Sequence, residues 1–166
     1  MLKKIVSVLL FLSLSLSFCM VHAEDMKDED FVALGDTGIE MWIWPGLKQN
    51  EVTEEYISGG YILFFGPVAN VNAYGINVRL CTGRNMTQES CAKRLSHNNS
   101  LSEVTAVTIN DIPCVTYLED FTVAANKCLL VILENGDYLE LCFTLYSEEE
   151  FTEMADAMIQ SVRKAE

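Results

Sequence analysis

The pattern of apolar and polar positions is clearest between Val104 and Val162, where four strand-like segments precede one amphipathic helix. Val104–Ile109, Ile112–Leu118, Lys127–Leu133 and Tyr138–Leu145 are rich in β-branched and aromatic residues and are separated by short polar turns, as consecutive antiparallel strands are. After them Phe151, Met154, Ala155, Met158, Ile159 and Val162 recur at helical spacing, and Ser147 with Glu150 three residues later makes a capping box at the front. One face of that helix must be buried. In the last strand Leu139, Leu141, Phe143 and Leu145 point one way, and Tyr138, Glu140, Cys142 and Thr144 the other, which predicts an apolar and a more polar face.

The turn before that strand sets its register. In a two-residue type I′ turn at Asn135-Gly136, Glu134 faces Asp137 and Cys128 faces Phe143. In a three-residue loop with Gly136 left-handed, Leu133 faces Asp137 and Cys128 faces Cys142. The intrinsic preference of Asn-Gly favours the two-residue turn, so Cys128 and Cys142 are expected not to be bonded to each other.

Upstream, Phe31–Leu34 and Gly38–Trp44 read as a hairpin across Gly35-Asp36-Thr37, closed by Pro45-Gly46. Alternation puts Ile39, Met41 and Ile43 on one face and Glu40, Trp42 and Trp44 on the other. The two tryptophans are the candidate ligand-binding residues, an aromatic platform for a sugar or peptide; the competing reading is that both rings are packed under a helix. The polar stretch from Lys48 to Ser58 holds one helical turn begun at Thr53 and ended by Gly59-Gly60. Tyr61–Phe65 and Tyr74–Leu80 then read as strands. Thr87 is an N-cap for a mid-chain helix, Gln88–Ser96, with Cys91, Ala92 and Leu95 on one side.

Length and composition add organisation. The 166 residues suit one domain. Lys3-Lys4, the apolar run Ile5–Phe18 and the small-residue site Val21-His22-Ala23 predict a secretory signal over residues 1–23. Residues 24–30 are a charged lead-in and residues 31–166 the domain. The protein is thus expected to be secreted or extracytoplasmic, in a bacterium, with no stable membrane span once the signal is removed. Losing Lys3 and Lys4 leaves nine basic residues against 24 acidic ones. So acidic a chain is a poor nucleic-acid binder, because that affinity comes from Lys and Arg neutralising phosphates.

Candidate chemistry is mostly excluded. With the signal gone His97 is the one histidine left, too few for a Ser-His-Asp or Cys-His arrangement outside its polar loop. No Cys-x-x-Cys or His-x-x-x-His occurs, so no metal ligands are assigned, and no cofactor is implied. Of the five remaining cysteines, 81, 91, 114, 128 and 142, Cys81 and Cys91 are the candidate disulfide, one at a strand end and one in the next helix; the alternative is five reduced core thiols.

With these elements in order, the chain resembles the PsbP-like family, whose fold is shared with the Ran-binding Mog proteins. The resemblance rests on Gly38-Ile39-Glu40-Met41-Trp42-Ile43-Trp44-Pro45, on Val107-Thr108-Ile109-Asn110-Asp111-Ile112-Pro113 leading into a strand, on the Asn135-Gly136 hairpin and on the last helix. It implies an antiparallel sheet with helices on its faces and members that act in binding or assembly, with no shared catalytic set. The expected fold is therefore α+β, an antiparallel sheet of six to eight strands carrying the mid-chain and C-terminal helices on one or both faces. The expected function is a non-enzymatic binding or assembly module for a protein, peptide or sugar, the alternative being a hydrolase using acidic residues in a cleft.

Overall fold

Seven strands pair into one antiparallel sheet in the order β3-β4-β5-β9-β8-β7-β6, comprising β3 (Leu47–Asn50), β4 (Tyr61–Pro67), β5 (Gly75–Cys81), β6 (Leu101–Ile109), β7 (Ile112–Asp120), β8 (Ala125–Ile132) and β9 (Tyr138–Thr144). A smaller antiparallel sheet, β1-β2-β10, is made by β1 (Phe31–Ala33), β2 (Ile39–Trp42) and β10 (Arg163–Lys164). Among the described residues three α-helices complete the α+β architecture: α1 (Glu54–Ser58), α2 (Gln88–Ser96) and α3 (Glu149–Gln160). This computed structural model describes residues 26, 28–68, 74–121, 125–144, 146 and 149–165, without the side chains of 149 and 150. The expected signal segment and Ser147 of the expected capping box lie outside the described residues. The chain divides into two compact units, Met1–Asp30 and Phe31–Glu166; of the first, the described part is Met26 and a 3-10 turn at Asp28–Asp30.

Registers show how each face of the large sheet is composed. Asn77 pairs with Cys142, Cys142 with Cys128 and Cys128 with Tyr117, so these four form one row across β5, β9, β8 and β7. The next row is Arg79, Glu140, Leu130 and Val115. Side chains alternate along a strand, so the neighbouring positions belong to the opposite face. That opposite face is mainly apolar: Ile76, Val78, Cys114, Leu129, Val131, Leu139, Leu141 and Phe143 are all fully buried, with Thr116 and Lys127 toward its margin half-buried. Phe151, Ala155, Met158, Ile159 and Val162 of α3 and the turn after it are buried as well, at the helical spacing read from the sequence. Lys127, on this same side, holds α3 through its Nζ, 2.6 Å from Asp156 Oδ1.

The segment after α3 returns into the small sheet. Ser161 is buried, and its Oγ accepts from the Trp42 amide at 3.0 Å while donating to the Met158 carbonyl at 2.7 Å. The helix thus ends at Gln160, and Val162 is buried between it and β10. Arg163 and Lys164 pair with Glu40 and Ile39, and Arg163 Nε meets Glu40 Oε1 at 2.5 Å.

Helix α2 lies on the other face of the large sheet, over one end. Thr87 caps it as expected: its side chain accepts from the Ser90 amide at 3.2 Å, and Ser90 Oγ accepts from the Thr87 amide at 2.9 Å. Cys91 is fully buried, and Ala92 and Leu95 are packed against Cys81, Val115, Leu130, Ile132 and Tyr138.

Two expectations are corrected here. The β8–β9 connection is the three-residue loop, not the two-residue turn: the Gly136 amide donates to the Leu133 carbonyl, the Leu133 amide to the Asp137 carbonyl, and Gly136 sits at φ +79°. Cys128 therefore faces Cys142, and Phe143 faces Lys127. The cause is tertiary. The Met86 amide donates to the Gly136 carbonyl at 2.8 Å and the Gly83 amide to Asp137 Oδ1 at 2.6 Å, so the loop before α2 docks onto this turn. A Cβ on Gly136 would stand 2.9 Å from Asn85 Cα, closer than side chains tolerate. The second correction is β3, read from sequence as part of a polar connection. Lys48, Gln49 and Asn50 are exposed, and the strand is specified by its backbone pairing to β4 at the sheet edge.

Candidate functional site

Beyond α2 the second face of the large sheet is open and polar. A concavity of about 410 Å³ lies there, and every residue lining it is on a strand: Tyr61 on β4, Asn77 and Arg79 on β5, Tyr117 and Glu119 on β7, Asn126 and Cys128 on β8, Glu140 and Cys142 on β9. Its floor is a charged network. Tyr117 donates its hydroxyl proton to Glu140 Oε1 at 2.9 Å, and Arg79 Nε stands 3.1 Å from Glu140 Oε2. The Arg79 Nε–H is buried and not aimed at that oxygen, so the contact is an ion pair without a hydrogen bond there. Burial of Tyr117, with Cys128 and Glu140 beside it, pushes its hydroxyl well above the usual range, so it stays a donor.

Along one rim of the concavity is an aromatic cluster. Arg79 lies over the Tyr61 ring, 5.9 Å from its centroid. Tyr61 packs against Phe64 at 5.4 Å, and Tyr56 of α1 stands edge-on to both, at 5.6 and 5.1 Å. Tyr56 is 48% exposed and its neighbour Ile57 58%.

Next to the network lie three groups with metal-binding chemistry. Cys128 is buried and directly opposite Cys142, and Glu119 is two residues beyond Tyr117 along β7, opposite Asn126. The two sulfurs and a Glu119 carboxylate oxygen all lie within 4.8 Å of one another. A hydrogen bond with Cys142, and then burial, push the Cys128 thiol up from its ordinary value, so without a cation it is held protonated.

The residues singled out from sequence lie elsewhere. Trp42 is buried, and its indole N–H has no acceptor among the described residues, a desolvation cost of about 1–3 kcal/mol. Trp44 is half-buried: its ring is 6.0 Å from Tyr74, which stacks on Phe151 of α3 at 4.8 Å, and it closes over Gly46, where a Cβ would come within 2.7 Å of the ring. These are packing contacts, and the platform expected at Trp42 and Trp44 is not formed. Cys81 and Cys91 are both buried under α2 as free thiols, so the candidate disulfide is not formed either; Cys114, Cys128 and Cys142 are also free. His97 is exposed, with Nδ1 2.6 Å from the Lys93 carbonyl.

A larger cleft of about 580 Å³ is lined by three turns and the adjoining strand ends, with Asp36, Asp111, Glu134, Asp137 and Lys164 among its residues. Lys164 Nζ is 2.7 Å from Glu134 Oε1, and that ammonium holds the Glu134 carboxyl below the usual range. A general acid needs the opposite displacement.

Comparison with known proteins gives a fold likeness. No family model and no curated protein matches the chain. Among solved structures, the crystal structure of a protein from Bacteroides thetaiotaomicron VPI-5482 is similar, with a TM-score of 0.50 and 14% identity over 77% of this chain and 45% of that one. The chain thus spans less than half of that protein's length. Among the described residues, no helix is long and apolar enough to cross a membrane.

Proposed function

We propose that this protein is a secreted or envelope-associated binding or assembly module that takes a protein or peptide partner on the open face of its large sheet and performs no chemistry on it. The observation that carries this reading is the pairing of exposed Tyr56 and Ile57 with the polar concavity floored by Arg79, Glu140 and Tyr117. Tyrosine and arginine beside a small apolar patch are the composition of protein-binding surfaces, where aromatic rings supply rigid contact area and arginine supplies directed donors. Exposed Ile57 favours a peptide over a sugar, since an aliphatic side chain does nothing for a carbohydrate's hydroxyls. The export segment expected at residues 1–23 supports the location, and the PsbP-like resemblance supports a binding role.

The test is a native co-purification from the secreted and envelope fractions of the source cells, with the wild-type chain and a Tyr56→Ala/Ile57→Ser variant compared by circular dichroism to confirm equal folding. A partner captured by the wild type and lost with the variant is expected. A partner retained equally by both places binding elsewhere and overturns the assignment.

A further inference from the structure

We propose that Glu119, Cys128 and Cys142 form an exchangeable site for a borderline-soft divalent metal ion, of which Zn²⁺ suits the donors best. The inference does not depend on the peptide-binding reading, because the ion would be held by three residues that the tyrosine rim does not include. Two sulfurs select against Mg²⁺ and Ca²⁺, which take oxygen, and a carboxylate beside them completes a donor set that zinc accepts.

Geometry is the main support. Tetrahedral zinc with ordinary bond lengths places a sulfur about 3.5–3.8 Å from each of its other sulfur and oxygen donors. The three donor atoms here already lie within 4.8 Å of one another. Small side-chain rotations would therefore close the site, with the backbone left where the β7-β8-β9 ladder holds it. The donors also open onto the 410 Å³ concavity, which gives the ion an entry path and leaves its fourth position to solvent or to a ligand. Tyr117, opposite Cys128 in the β7-β8 ladder and held by its hydrogen bond to Glu140, would act as a positioning residue for the Cys128 sulfur.

The same geometry says what kind of site this is. A structural zinc has four protein ligands and closes the fold around itself. Here three ligands come from strands that are fully paired without any ion, so the fold does not require the metal, and an ion with an open position can exchange. The cysteines are 14 residues apart in sequence and come together only through the register that the three-residue β8–β9 loop sets, which is why no local spacing motif marks them.

The test uses the full chain, reduced and kept free of oxygen, titrated with Co²⁺ as a spectroscopic probe for zinc. One equivalent of Co²⁺ should develop a thiolate-to-cobalt charge-transfer band that Zn²⁺ then abolishes. Cys128→Ser and Cys142→Ser should lose the band, and Glu119→Gln should lose stoichiometric binding, while Glu89→Gln on exposed α2 should titrate as wild type. Glu119 is half-exposed and its amide variant keeps its shape, so folding is not at issue for that variant, and circular dichroism checks the other two. No band with the reduced wild type, an undiminished band in Cys142→Ser, or identical titration of Glu119→Gln would each overturn the proposal.

Discussion

The two faces of the large sheet are built from the same strands and yet differ in kind. Toward α3, the inward positions of β5, β9, β8 and β7 are mostly aliphatic, with Phe143 and Cys114 among them, and those at the middle of the sheet are fully buried; Thr116 and Lys127 are the polar exceptions, the latter paired with Asp156. Toward α2, the apolar residues cluster under the helix, and beyond them the face carries Asn77, Arg79, Glu119, Asn126, Glu140 and Cys142. Stability needs one continuous buried face, and the chain concentrates it on the α3 side. The other face is thereby free to hold polar groups whose partners are each other, which is how a binding surface is kept rigid without being buried.

The contrast is sharpest in substitutions. Met158→Asp puts an unpaired charge against the closed face and should cost about 3–5 kcal/mol, enough to unfold a marginal domain, whereas Glu119→Gln on the open face should stay within about 0.5 kcal/mol. Urea denaturation of both measures the difference, and similar losses would mean that the open face is also structural.

The second effect depends on pH. Burial pushes the Cys114 thiol on the closed face up from 9.0 to about 12. Its folded pKa lies above its unfolded value, so the folded state holds the proton more tightly, stability is full below about 9, and it falls as pH rises from 9 to about 12. Thermal midpoints across that window should decline, and Cys114→Ala should flatten the decline.

Smaller effects belong to the turn and the network. Gly136→Ala meets both a left-handed φ and the Asn85 backbone, and should cost about 1–2 kcal/mol while loosening the docking of the loop before α2. Tyr117→Phe removes one hydrogen bond to Glu140 and should cost about 1 kcal/mol, read by the same denaturation.

These regions were also unequally legible in the sequence. The α2 cap at Thr87 and the buried stripe of α3 are local, so residue spacing alone revealed them. Strand β3 was not legible, because Lys48, Gln49 and Asn50 carry no apolar period and owe their conformation to the β4 edge. The β8–β9 register departs from the intrinsic Asn-Gly preference because the loop at Met86 and Gly83 docks on the turn and overrides it. The candidate site inherits that difficulty. Its residues come from β4, β5, β7, β8 and β9, no two of them in a recognisable motif, and only the pairing of Cys128 with Cys142 and Arg79 with Glu140 assembles them.

That one face is closed and the other open is tested most directly by the rates at which the five described cysteines are alkylated in the native protein, followed by peptide mass spectrometry. Cys142, half-buried in the concavity, should be modified first, and Cys114, fully buried on the closed face, should react only at the rate of unfolding. Modification of Cys114 as fast as Cys142 under native conditions would contradict the assignment of the two faces.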